Sequence, residues 1–207
     1  MHLPHLKAPD LSPPVGLSKE TDDQVRWLNA AVSALRYHVE KFAAALELYR
    51  FGRSKPANMN GALAWDWQWI SIHEAAMRMW FLRDAMDSLR RKSILACSAV
   101  ASLVDDDAME RAMKRFNTRF PEFKKIRDMI AHVPGLELAP RRAAPKDGLY
   151  AGPQLKDSDR FELVNDGIRF SMDMTSRTLD WLTEVLDAYW SAFKSVERAF
   201  DERGRSE

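Results

Sequence analysis

Between Val25 and Leu46 the apolar residues fall at alternating steps of three and four: Val25, Leu28, Val32, Leu35, Val39, Phe42 and Leu46. That interval returns a side chain to the same helix face, so it predicts one long helix with an unbroken apolar seam. The start is expected near Thr21, where Thr-Asp-Asp-Gln reads as a capping box with acids in the first turn. The stretch GRSKPANMNG, 52 to 61, ends it. A second long helix carries Trp65, Trp69, Ile72, Ala76, Met79, Leu82, Met86 and Leu89 on the same period. A third seam, near the end of the chain, joins Leu179, Leu182, Leu186, Tyr189, Phe193, Val196 and Phe200.

Shorter elements lie between. Three aspartates, 105 to 107, suit the positive end of a helix dipole ahead of AMERAMKRF. Pro121 suits the first turn of the next helix, PEFKKIRDMIAH, and Pro134 disfavours helical backbone at Val133, so this helix should finish close to His132. Residues 138 to 154 read as loop, and RFELVNDGIRFSM as a β-hairpin turning at Asn165-Asp166-Gly167. The fold class these elements imply is all-α: a helical bundle of about five helices with a small β-hairpin inserted before the last helix. The expected organisation is a flexible Pro-rich arm over 1–17 and a single bundle domain over 18–203, with the loop and hairpin at 138–172.

Composition narrows the class. A chain of 207 residues suits one sizeable core, and 46% hydrophobic with 29% charged residues is ordinary for a globular protein. The net charge of +1 makes any nucleic-acid surface a local patch. Cys97 is the sole cysteine, which excludes an internal disulfide and a multi-cysteine metal site and fits a reducing compartment. The Pro-rich opening resembles neither a signal peptide nor a membrane anchor, and residues 93 to 104, the most apolar stretch, fall far short of the roughly 20 a spanning helix needs. A cytoplasmic location without membrane association is expected.

One stretch carries arguable chemistry: KKIRDMIAHVPG, 124 to 135. Asp128 and His132, four apart on a helix, share a face. A carboxylate and a helix C-terminus both favour protonated imidazole, which poises His132 for proton transfer near neutral pH. Arg127 is a permanent cation whose planar fork suits a phosphate. Arg127 and His132, five apart, diverge by about 140° around the helix, so one chain cannot easily grip one phosphate with both. The pair becomes workable if the helix unwinds at Val133-Pro134, or if two copies of the motif face each other across a dimer axis. Both side chains are then expected to be partly accessible, with Asp128 in hydrogen-bond reach of His132. The bland alternative makes His132 a cation on its own helix terminus, pairs Asp128 with Lys124 and binds Arg127 to a structural carboxylate.

Arg127, Asp128 and His132, late in a short helix of an all-α bundle, resemble the signature of the HEPN superfamily (higher eukaryotes and prokaryotes nucleotide-binding): Arg, four to six residues, then His, often with a polar residue directly after the Arg. The resemblance spans the bundle from about residue 20 to 202, but these few residues carry it. It implies a metal-independent ribonuclease acting as a homodimer on RNA, with no cofactor. His132 would activate the 2′-hydroxyl or protonate the leaving 5′-oxygen, Arg127 would stabilise charge on the pentacoordinate phosphorus, and Asp128 would orient the imidazole. Lys124, with Arg141 and Arg142 from the basic stretch 140 to 146, are candidate RNA-backbone contacts. An antitoxin or other protein partner fits the same picture. The rival is a non-catalytic helical interaction module whose seams bury a homodimer partner.

Other positions read more plainly. His73 and Glu74 point about 100° apart and cannot chelate one ion together; His73 reads as a seam histidine and Glu74 as a surface partner of Arg78. Trp67 falls off the core stripe and suits an oligomer contact or, less simply, base stacking. The basic run LRRKS, 89 to 93, reads by default as a solvated face. No H-E-x-x-H, paired E-x-x-H or cysteine cluster supports a metal site, and no Gly-rich phosphate loop or G-x-S-x-G elbow is present.

Overall fold

The computed structural model describes residues 6–54, 60–131, 152–155, 159–165 and 168–204. The fold is all-α and bundle-like, with a small antiparallel sheet before the last helices. Helix α1 runs Lys19–Ser54 and α2 Gly61–Ser88, α2 passing through a π-helical turn, Leu89–Ser93, into Ile94–Ala96. Then come α3 (Ser98–Ala101), α4 (Asp106–Arg119) and α5 (Phe123–Ala131). Strands β1 (Gly152–Leu155), β2 (Arg160–Asn165) and β3 (Ile168–Asp173) precede α6 (Ser176–Trp190), a 3₁₀ turn Ser191–Phe193, and α7 (Lys194–Gly204). Two compact units form, one from Lys41–Trp80 with Phe120–Leu179, the other from His2–Glu40, Phe81–Arg119 and Asp180–Glu207.

All seven expected seam residues of α1 are buried, as are those from Leu179 to Phe200. Helix α1 starts earlier than expected. Its cap is Ser18, whose Oγ accepts the Thr21 N–H at 3.3 Å and meets the Thr21 hydroxyl at 2.8 Å, so Thr21 lies inside the first turn. The final seam is not one straight helix: the 3₁₀ turn divides it without breaking the apolar face.

Helix α2 corrects the expected stripe at its N-terminal half. Trp65 is 42% exposed and Trp69 only half-buried, whereas Ala64, Gln68, Ser71 and Ala75 take the buried positions. The cause is close helix approach: a Cβ on Gly52 would lie 3.0 Å from the Ala64 carbonyl oxygen and 3.0 Å from Gln68 Cγ. Small residues fit that contact and indoles do not. The buried polar groups are satisfied locally, Gln68 Nε2 donating to Ala64 O at 3.0 Å and Ser71 Oγ to Trp67 O at 2.6 Å.

Asp105 caps α4 by accepting the Ala108 N–H at 2.8 Å, and Asp106 and Asp107 fill its first turn, as the aspartate run predicts. Pro121 stands in the turn ahead of α5 rather than in its first helical turn. The hairpin pairs β2 with β3 from Arg160↔Asp173 to Asn165↔Ile168. A third strand, β1, pairs antiparallel with β2 in a stretch expected to be loop. Gly-Pro-Gln-Leu has no alternation of its own and becomes a strand through its partner's hydrogen bonds.

Residues 6–17 also differ from the expected mobile arm. Leu6 and Leu11 are buried, the Leu11 N–H donates to Asn29 Oδ1 at 3.1 Å, and the Asp10 N–H donates to Glu197 Oε1 at 2.9 Å. Among the described residues no helix is long and apolar enough to cross a membrane.

Candidate functional site

Helix α5 is anchored on one side by buried Ile126 and on another by the sheet. Glu122, just ahead of α5, accepts the Ser171 N–H of β3 at 2.7 Å, and Lys125 Nζ lies 5.2 Å from the centre of the Phe170 ring. These contacts fix the rotation of α5 about its axis. Phe123 and Arg127, four apart, then share the face that meets Trp80 of α2. The Phe123 and Trp80 rings lie 6.3 Å apart, and the Arg127 guanidinium carbon sits 3.7 Å over the Trp80 ring.

Arg127 is therefore held in two ways. The indole takes one face of its guanidinium, and Nη1 lies 2.9 Å from Asp128 Oδ1. Its side chain is 22% exposed and that of Asp128 43%. Arg127 Nε is buried and has no hydrogen-bond partner among the described residues. Lys124 is exposed. Asp128 thus meets Arg127 rather than Lys124, and this is the Arg127–carboxylate contact that the bland reading expects. His132, Arg141 and Arg142 lie outside the described residues, and so does any Asp128–His132 bond. Chemically, the described part of the site is an oriented, part-exposed guanidinium, a form suited to an anionic oxygen.

The remaining candidates separate cleanly. Arg90 is bound by Asp106 (2.6 and 2.7 Å) and Glu110 (2.9 Å), and the Asp106 hydrogen bonds push its pKa up. Arg91 pairs with Asp87 at 3.0 Å, so two of the three cations in LRRKS are neutralised in place. Glu74 meets Arg78 at 2.6 Å, as its spacing predicts. His73 is exposed, which corrects its reading as a seam histidine: the rotation that buries Ala75 and Ala76 turns it outward. Among the described residues no three His, Cys, Asp or Glu side chains converge as metal ligands.

Two shallow grooves lie elsewhere. One, about 300 Å³, is lined by Asp23, Gln24, Trp27, Ser93, Ala96 and Cys97, and burial pushes the Cys97 thiol pKa up. The other, about 350 Å³, includes Lys7, Asp187, Lys194 and Glu197. The sequence reading missed Trp80. It stands beside core residues in a tryptophan-rich helix, and no spacing ties it to Arg127. The chain matches no protein-family model, and no curated protein or solved structure matches it.

Proposed function

We propose that the protein is a HEPN-like, metal-independent endoribonuclease, or a derivative of one, cleaving RNA in the cytoplasm by attack of the 2′-hydroxyl on the adjacent phosphodiester. The observation that carries the reading is Arg127: stacked 3.7 Å over Trp80, paired on one side with Asp128, and still part-exposed. Such an arginine can place donors on the phosphate oxygens as negative charge builds in the pentacoordinate transition state. His132, one residue beyond the described part of α5, would move the proton between 2′-oxygen and leaving 5′-oxygen, leaving a 2′,3′-cyclic phosphate. Lys124, Arg141 and Arg142 are the proposed backbone contacts, and no metal or cofactor enters any step. The test is cleavage of a mixed single-stranded RNA in EDTA. Activity should disappear in His132→Ala and fall at least about 100-fold in Arg127→Ala, with the helical signal intact. Wild-type protein that cleaves no RNA sinks the reading.

A second reading has its own support. Phe51, Leu63, Trp65 and Ile70 are exposed, Ile70 by 56%, and the Phe51 and Trp67 rings lie 5.3 Å apart. Apolar surface of this kind suits a homodimeric interaction module or an antitoxin-like protein partner. Both readings place the chain in a homodimer, so the cleavage assay separates them: a dimer without nuclease activity favours the module, and a monomer in sedimentation at tens of micromolar (roughly, well above the dissociation constant of a stable dimer) removes self-association from either.

A further inference from the structure

We propose that Trp80 is the positioning residue of the site, presenting the Arg127 fork to an RNA phosphate in one fixed orientation; the proposal rests on the ribonuclease reading above. The guanidinium carbon stands 3.7 Å over the centre of the Trp80 ring, and Asp128 Oδ1 holds Nη1 at 2.9 Å. The ring fixes the plane of the fork, and the carboxylate fixes its roll within that plane. A free arginine must give up rotamer freedom each time it grips a phosphate, and a stacked one has already done so.

Two further features favour positioning over plain packing. Trp80 meets α5 on the face shared by Phe123 and Arg127, with ring centres of Trp80 and Phe123 6.3 Å apart. Its neighbours on α2, Ala76 and Met79, are buried, so the platform is rigid. Meanwhile the Arg127 side chain is 22% exposed, so part of the stacked guanidinium can be reached beside the ring. A cation held by a ring and a carboxylate, yet still reached by solvent, can meet an anion without reorganising.

The two roles answer differently to substitution. Attraction of a cation to a ring weakens from Trp through Tyr and Phe and vanishes at Leu, whereas packing follows side-chain volume and apolarity. The experiment compares wild type with Trp80→Tyr, Trp80→Phe and Trp80→Leu. It reads single-turnover RNA cleavage in EDTA, affinity for a 2′-O-methyl RNA that cannot be cleaved, and thermal unfolding. Cleavage should fall in the order Trp, Tyr, Phe, Leu, by about threefold at Phe and about tenfold at Leu, independently of the order of melting temperatures. In an Arg127→Ala background, Trp80→Leu should weaken oligonucleotide binding no further. If Trp80→Leu does not fold, the Tyr and Phe variants carry the comparison. Full activity in Trp80→Phe and Trp80→Leu, or losses that multiply with Arg127→Ala, overturns the proposal and leaves the ribonuclease reading standing. Wild-type protein that neither cleaves nor binds RNA overturns both.

Discussion

The Tyr189 hydroxyl donates to the Met86 backbone carbonyl at 2.7 Å, three residues before the π-helical turn Leu89–Ser93. The bond ties the phenol to the backbone of α2 just ahead of the turn. Beside it, Trp190 Nε1 donates to the Val32 carbonyl of α1 at 3.1 Å. Consecutive residues of α6 thus give buried hydrogen bonds to the backbones of two other helices.

Tyr189→Phe should cost about 1–2 kcal/mol, because a buried hydroxyl–carbonyl hydrogen bond is lost. Tyr49 gives the opposing case. It is fully buried, and its hydroxyl has no hydrogen-bond partner among the described residues. Tyr49→Phe removes an unmatched polar atom and should be neutral or stabilising by up to about 1 kcal/mol. Urea unfolding of both variants checks the pair; equal losses would refute the assignment.

The same two phenols set the alkaline limit. Burial pushes both pKa values up, that of Tyr189 strongly. Below the unfolded value of about 10, both states are protonated and nothing changes. Above it the unfolded chain releases phenolic protons that the fold retains, so stability falls as pH rises. With the buried Cys97 thiol, which acts the same way from about pH 8.5, replaced by Ala, the urea midpoint should decline from about pH 10 upward, and less steeply when Tyr189→Phe is added. A flat midpoint to pH 11 (roughly one unit above the free phenol) would contradict it.

Gly52 is set by contact, not by backbone conformation. Ala at this position gains helix propensity of about 1 kcal/mol but drives a methyl into the Ala64 carbonyl and Gln68 at 3.0 Å. Since a backbone oxygen cannot swing aside, Gly52→Ala should be net destabilising, by about 1 kcal/mol. Gly61, at the start of α2, has nothing within 4 Å of such a methyl, and Gly61→Ala should be neutral or slightly stabilising. Thermal melts of the two variants test the contrast.

These contacts also mark how far the sequence could be read. The seams Val25–Leu46 and Leu179–Phe200 were legible because a three-four spacing is a local property that burial then enforces. Trp65 misled because hydrophobicity outweighs size in a periodic pattern, while the close approach at Gly52 selects for small side chains. Strand β1 was illegible because Gly152–Leu155 owes its extended state to β2. In the candidate site the Arg127-Asp128-His132 spacing was visible, but the direction in which Arg127 points depends on Trp80, a residue far away in the chain. Spacing along one helix carries no information about a ring supplied by another.

The Pro-rich start supplies the last prediction, since its composition suggests a free arm and its contacts do not. Asp10 accepts the Ser12 N–H at 3.0 Å and the Ser12 hydroxyl at 2.6 Å, bonds that lower its carboxyl pKa and turn the chain inward. That turn delivers Leu11, which is fully buried, while its N–H meets Asn29 Oδ1 on α1. The Asp10 N–H meets Glu197 on α7, so the segment spans two helices that the chain order separates widely. Leu11→Ala leaves a cavity where the side chain was and should cost about 3 kcal/mol, the usual scale for a buried leucine. Val15→Ala, at a position 77% exposed, should cost much less. Hydrogen exchange should show faster opening around Asn29 and Glu197 in Leu11→Ala, because both lose the segment that bridges them. A Leu11→Ala protein as stable as wild type would mean that residues 6–17 are a loose arm after all.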